Sequence, residues 1–159
     1  CRSRICRNDG HGLNMFRDCN ILMAKNNANA RIRREIAQIL YEEGAMTRAR
    51  MSSILHERGN YRSLPSDSSL TSLLAKNSQI VQVGTEKVDM GDGVKNKNIV
   101  YDIDREMIRS EEDLIFTRPY SSMSESEKKR ATHCPTCRQK RLMKDRYDEC
   151  LVCSRKGLY

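Results

Sequence analysis

Tryptophan is absent from this chain of 159 residues, aromatics make up only 5% of it, and it has three prolines. A large aromatic core is excluded, so small cores of Ile, Leu, Val and Met are expected. No apolar run nears the roughly 20 residues that span a bilayer, and no membrane association is expected. Common catalytic motifs are missing too: there is no GxxxxGK[ST] phosphate loop, no HExxH and no Ser-His-Asp set. His56 stands alone in a helical stretch and His133 abuts a cysteine motif, so a role other than catalysis is expected.

Acidic charge is the minority. Lys and Arg number 29 against 21 Asp and Glu, a net of +8, which points to polyanionic partners such as nucleic acid. The basic excess lies in the first thirty residues and after residue 108, so the middle of the chain must bind through placed charges.

The opening CRSRICRNDGHGLNMFRDCNIL shows neither an apolar signal core nor a helical or strand period. Residues 1–29 are expected to be a disordered or non-native extension, with the natural start at Met23. The rival reading, a metal site from Cys1, Cys6, His11 and Cys19, has spacings that match no zinc pattern. Without an export signal, the expected compartment is the cytoplasm.

Four of the seven cysteines carry the strongest signal. Cys134-Pro-Thr-Cys137 and Cys150-Leu-Val-Cys153 flank residues 138–149. Each Cys-x-x-Cys forms a tight turn that aims two thiolates at one point, and two such turns complete a tetrahedral sulfur site, for which one structural zinc ion is the expected occupant. Iron uses the same ligands, and disulfides or free thiols are the remaining readings. Arg141 to Met143 and Tyr147 are expected to supply short strands of a hairpin, with Lys144, Asp145 and Arg146 turning the chain.

The middle of the chain changes period once. Ile32, Ile36, Ile39 and Leu40 form one helical stripe ended by Gly44. Thr47 is expected to cap a second helix that buries Met51, Ile54 and Leu55, with Met46 packing on Met51 as a staple. Ser66 is expected to cap a third, whose inner face is Leu70, Leu73 and Leu74. After Asn77 the pattern alternates: QIVQV, a turn with Gly91 and Gly93, then NIVYDID, a hairpin with Val81 and Val83 expected to face Ile99, Tyr101 and Ile103. Further on, Met107, Ile108, Leu114, Ile115 and Phe116 suggest a fourth helix or strap, Pro119 to Ser124 reads as linker, and Ser124 with Glu127 is a capping-box pattern. Residues 105–131 are therefore expected to be a linker with short helices, a flexible joint between the two modules.

These elements, all α+β, resemble a winged helix-turn-helix domain over residues 30–104, and residues 132–157 resemble a zinc ribbon. The resemblance implies that the third helix enters the major groove while the hairpin wing rests on the DNA backbone. Ser68, Ser69, Thr71, Ser72 and Lys76 would then face bases and phosphates, Lys87, Lys95 and Lys97 would serve the wing, and Arg48, Arg50 and Arg62 would clamp phosphate. The exposed face of that helix lacks the bidentate Arg, Asn or Gln of sharp base readout, which implies modest specificity and steep salt dependence. The combination is similar to small archaeal or phage-type transcription regulators and, more loosely, to the archaeal general transcription factor E. Double-stranded DNA is the expected partner; RNA polymerase, or RNA in a ribonucleoprotein, is the alternative, and a homodimer is left open.

Overall fold

The computed structural model describes residues 15–157 apart from 60, 90, 92, 94 and 146, with side chains described from residue 29 onward. Expectations for Cys1, Cys6, His11, the side chain of Cys19 and Arg146 lie outside the described residues. The first helix, α1 (Met15–Glu43), begins well before the apolar stripe that marks it in the sequence. That stripe drives its packing. Ile32, Ile36, Ile39 and Leu40 are all buried, each worth about 1.5–3 kcal/mol of transfer free energy. Gly44 ends the helix at φ +86, where its N–H reaches Leu40 O at 3.1 Å, a left-handed position that side-chain-bearing residues adopt at a cost.

Next come β1 (Met46–Thr47), α2 (Arg48–Glu57) and α3 (Asp67–Ala75). The hydroxyl of Thr47 accepts from Arg50 N–H, and that of Ser66 from Ser69 N–H, so local cap chemistry sets both helix starts. Met46 does more than staple α2. It pairs with Tyr101 as part of a third strand and joins the core that contains Met51. Met51, Ile54 and Leu55 of α2 and Leu70, Leu73 and Leu74 of α3 complete the helical side of that core.

The hairpin consists of β2 (Ile80–Asp89) and β3 (Lys95–Ile103), and the sheet order is β1-β3-β2, antiparallel throughout. Its register corrects the sequence expectation. Ile80 pairs with Ile103 and Gln82 with Tyr101, while Val83 is the extra residue of a bulge between Gln82 and Gly84. Tyr101 and Ile103 are buried, but Val81, Val83 and Ile99 are exposed, Val83 by 54%. The bulge shifts the register by one, so an unbulged count back from the Asp89–Lys95 pair sets Val83 opposite Tyr101 and Val81 opposite Ile103, on the wrong face.

The segment after β3 carries the expected short helices, but it is anchored at several points to the rest of the fold, where a flexible joint was expected. It forms α4 (Asp113–Phe116), a 3-10 turn (Tyr120–Ser122) and α5 (Glu125–Arg130). Arg33 Nη1 donates to Ser121 Oγ at 2.8 Å and Arg34 Nη1 to Ser122 O at 3.1 Å, which fastens the turn to α1. The capping box of Ser124 and Glu127 is present, and Arg118 pairs with Glu127. Buried Gln79 donates Nε2 to Leu114 O at 2.8 Å and to Thr117 Oγ1 at 2.9 Å, tying the segment to the residues just before β2. The chain closes with β4 (Thr132–His133), β5 (Lys140–Arg141) and α6 (Leu151–Lys156). Met107, Ile108, Leu114, Cys134, Cys150, Val152 and Cys153 share one continuous core with the helices and sheet. Among the described residues, no helix is long and apolar enough to cross a membrane.

Candidate metal centre

The two cysteine pairs arrive at one point by different routes. Cys134 and Cys137 lie on the turn joining β4 to β5, whose register places Thr132 opposite Arg141 and His133 opposite Lys140. Cys134 N–H donates to Gln139 O at 3.0 Å, Arg138 N–H donates to Cys134 O at 2.8 Å, and Arg138 sits at φ +57 to close the turn. A non-glycine residue in that region is uncommon and marks a tightly constrained loop. The second pair departs from the expected ribbon. Cys150 is the N-cap of α6 and Cys153 lies in its first turn, while Met143 and Tyr147 lie outside any strand. The helix is short and stopped by its C-cap: Leu151, Val152 and Cys153 are buried in its first turn, and Gly157 takes a left-handed φ of +57.

All four sulfurs lie within 4.8 Å of one another. Cys134 Sγ is 3.9 Å from Cys153 Sγ, Cys137 Sγ is 3.8 Å from Cys150 Sγ, and Cys150 Sγ is 3.5 Å from Cys153 Sγ. A disulfide needs about 2.05 Å, so none of these is one. Four thiolates held at about 2.3 Å by one tetrahedral ion stand about 3.8 Å apart, the spacing found. The cluster fits a single metal ion bound by four sulfurs.

Its electrostatics agree. Burial acts to raise the pKa of the Cys134 thiol, but N–H groups of Cys137, Cys150 and Thr136 outweigh it and bring it down to about 6. Burial raises those of Cys150 and Cys153, and for Cys153 the neighbouring thiols add to the rise. Four anionic sulfurs this close repel one another, and a bound dication removes that penalty. With every ligand a protein sulfur, a tetrahedral site is closed and leaves no position for a reacting water.

The residues expected to contact DNA fall into two groups. Arg48, Thr71 and Lys97 line one groove of about 160 Å³, which also includes Thr47, Asn98 and Ile99. Arg48 is tied down there, donating to Thr71 Oγ1 at 2.9 Å and pairing with Asp67 at 3.3 Å. Ser68 and Ser69 are exposed at the start of α3, their hydroxyls 3.2 and 2.9 Å from Ser66 Oγ. Ser72 and Lys76 are also exposed. Lys87 and Lys97 sit directly opposite each other across the hairpin, while Lys95 faces Asp89. Arg50 and Arg62 are exposed, and the groove does not include them.

Sequence reasoning missed Asn98 and Ile99 in that groove, as well as a second groove of about 460 Å³ lined by Ile115, Phe116, Arg130 and Lys144 among others. No local pattern signals either groove, because each is assembled from segments far apart in the chain. Compared with family models, curated proteins and solved structures, the chain matches none.

Proposed function

We propose that this protein is a DNA-binding transcription regulator: residues 30–104 act as a winged helix on duplex DNA, and one zinc ion fills the four-cysteine centre as a structural metal. The order helix, strand, helix, helix, hairpin, with β1 paired to the outgoing hairpin strand, supports the winged-helix reading. The observation that carries the function is the Lys87–Lys97 cross-strand pair. Like charges directly opposite each other weaken a hairpin, so the pair makes sense when an external polyanion neutralises it. Lys97 also borders the groove where Arg48 meets Thr71, so one hairpin lysine and one hydroxyl of α3 line the same groove, which supports the reading.

On this reading α3 offers hydroxyls to the major groove and the wing lysines grip phosphate, giving broad rather than sharp sequence preference. A reducing compartment, the cytoplasm, keeps the four thiols available for metal. A second reading, docking to RNA polymerase or to a ribonucleoprotein, draws on exposed Ile115 and Tyr120 and on the larger groove beside α4. The test is a titration of metal-loaded protein against random duplex DNA, a structured RNA and polymerase at matched salt. Preference for the duplex is expected; equal or stronger binding of RNA or polymerase would overturn the proposal in favour of the second reading.

A further inference from the structure

We propose that metal occupancy of the four-cysteine centre regulates DNA binding through a clasp that the centre holds on the base of α3 and of the hairpin. This inference rests on the DNA-binding reading for its output, while the clasp itself stands on geometry alone.

The clasp has two jaws. From α6, which begins at Cys150 and carries Cys153, Arg155 Nη1 donates to Met107 O at 2.5 Å and to Asp113 Oδ2 at 2.6 Å, and Lys156 Nζ pairs with Asp104 at 3.2 Å. From β5, just beyond Cys137, buried Arg141 donates Nη1 to Thr117 O at 3.0 Å. Lys144 adds an ion pair with Glu112 at 2.9 Å. Every one of these contacts lands on residues 104–117.

That segment in turn holds the proposed DNA-facing elements. Asp104 N–H, directly after β3, donates to Gln79 O at 2.8 Å. Gln79 N–H donates to Asn77 Oδ1 at 3.2 Å, and Gln79 Nε2 reaches Leu114 O and Thr117 Oγ1, so this one residue joins the end of α3, the start of β2 and the strap. A continuous chain of contacts therefore runs from the ligands to both strands of the wing.

Two features make the clasp dependent on metal. The C-terminal elements are short, since β4 and β5 have two residues each and α6 has six, and three of the cysteines are part of the core they pack in, so metal binding adds to the free energy that holds them. Asp113 is 1% exposed, and its Oδ1 has no hydrogen-bond partner among the described residues. Its charge is compensated through Oδ2 by Arg155 and by the N–H groups of Arg109 and Ser110. When α6 disorders, Asp113 loses the cation and the strap loosens with it.

The experiment uses the full chain under reducing conditions, metal-loaded and chelated, and reads amide hydrogen exchange together with duplex DNA affinity. On chelation, exchange at Ile80, Ile103, Met107 and Leu114 is expected to rise, and duplex affinity to fall about tenfold, within the usual span of coupled sites. Arg155→Met is expected to keep one metal per chain yet show raised exchange at Met107 and Leu114 even when loaded. If that variant fails to fold, Lys144→Glu should raise exchange at Leu114 and the double variant with Glu112→Lys should restore it. Unchanged exchange at these amides on chelation would overturn the clasp; raised exchange with equal duplex affinity in both states would overturn its regulatory role. If neither state binds duplex DNA, the DNA-binding reading fails and the exchange data alone decide the clasp.

Discussion

Gln79 offers the sharpest test of how the strap is held. It is 1% exposed, and its Nε2 serves Leu114 O at 2.8 Å and Thr117 Oγ1 at 2.9 Å. Replacing it with Met keeps the length and removes both donors. Leu114 O then loses its side-chain partner in the interior, which costs about 1–3 kcal/mol, while Thr117 Oγ1 still donates to Asp113 O and loses about 0.5–1 kcal/mol. Removing the need to desolvate a buried amide returns part of this, so Gln79→Met is expected to destabilise by about 2 kcal/mol. Gln82, exposed on β2, is the control, and Gln82→Met should stay within about 0.5 kcal/mol of the parent. The assay is urea unfolding of the metal-loaded chain, comparing midpoints at constant slope. Equal midpoints for the two variants would refute the claim that Gln79 braces the strap.

Three further outcomes follow from particular contacts. If the bulged register is right, Val81→Thr and Val83→Thr should each change stability by less than about 0.5 kcal/mol while Ile103→Ala costs about 2–5 kcal/mol; comparable losses at all three would restore the unbulged register. For Glu127, burial raises the carboxyl pKa, but Ser124 N–H and Arg118 outweigh it and hold it below the ordinary value. A depressed carboxyl contributes stability fully above its unfolded pKa of about 4.3 and loses it as pH falls through the folded value, so Glu127→Gln should flatten the acid limb of a urea-midpoint profile. An acid limb of unchanged slope would count against the pairing. Elemental analysis should give one metal ion per chain, with binding weakened in Cys153→Ser; two ions, or full-strength binding in the variant, would contradict a single four-sulfur centre.

Much of the local chemistry was legible in the sequence. Caps are short-range, so Thr47, Ser66 and the Ser124/Glu127 box could be read from the residues that follow them, and Leu70, Leu73 and Leu74 declared their helix face by spacing. The four-cysteine cluster was legible for the same reason, since each Cys-x-x-Cys is a local device. What failed depended on distance. The bulge at Val83 answers to the inward pull of Tyr101 and Ile103 on the partner strand, which no count along β2 contains. Cys150 and Cys153 were expected on a hairpin, yet Val152 and Cys153 pack into the shared core beside a buried Leu151 and the segment is helical, with Gly157 the one overlooked signal. The strap looked like a polar joint because its anchors, Arg155 on Asp113 and Arg141 on Thr117, are 42 and 24 residues away in sequence.

The central claim, that the wing lysines grip a DNA backbone, is tested most directly by the salt dependence of duplex binding for the parent and for the Lys87→Gln/Lys97→Gln double variant. Each lost phosphate contact should reduce the slope of log affinity against log salt by about 0.9, so the account predicts a drop of about 1.8 with affinity lowered across all sequences. A slope that does not change, or a parent with no measurable duplex affinity at low salt, would contradict it.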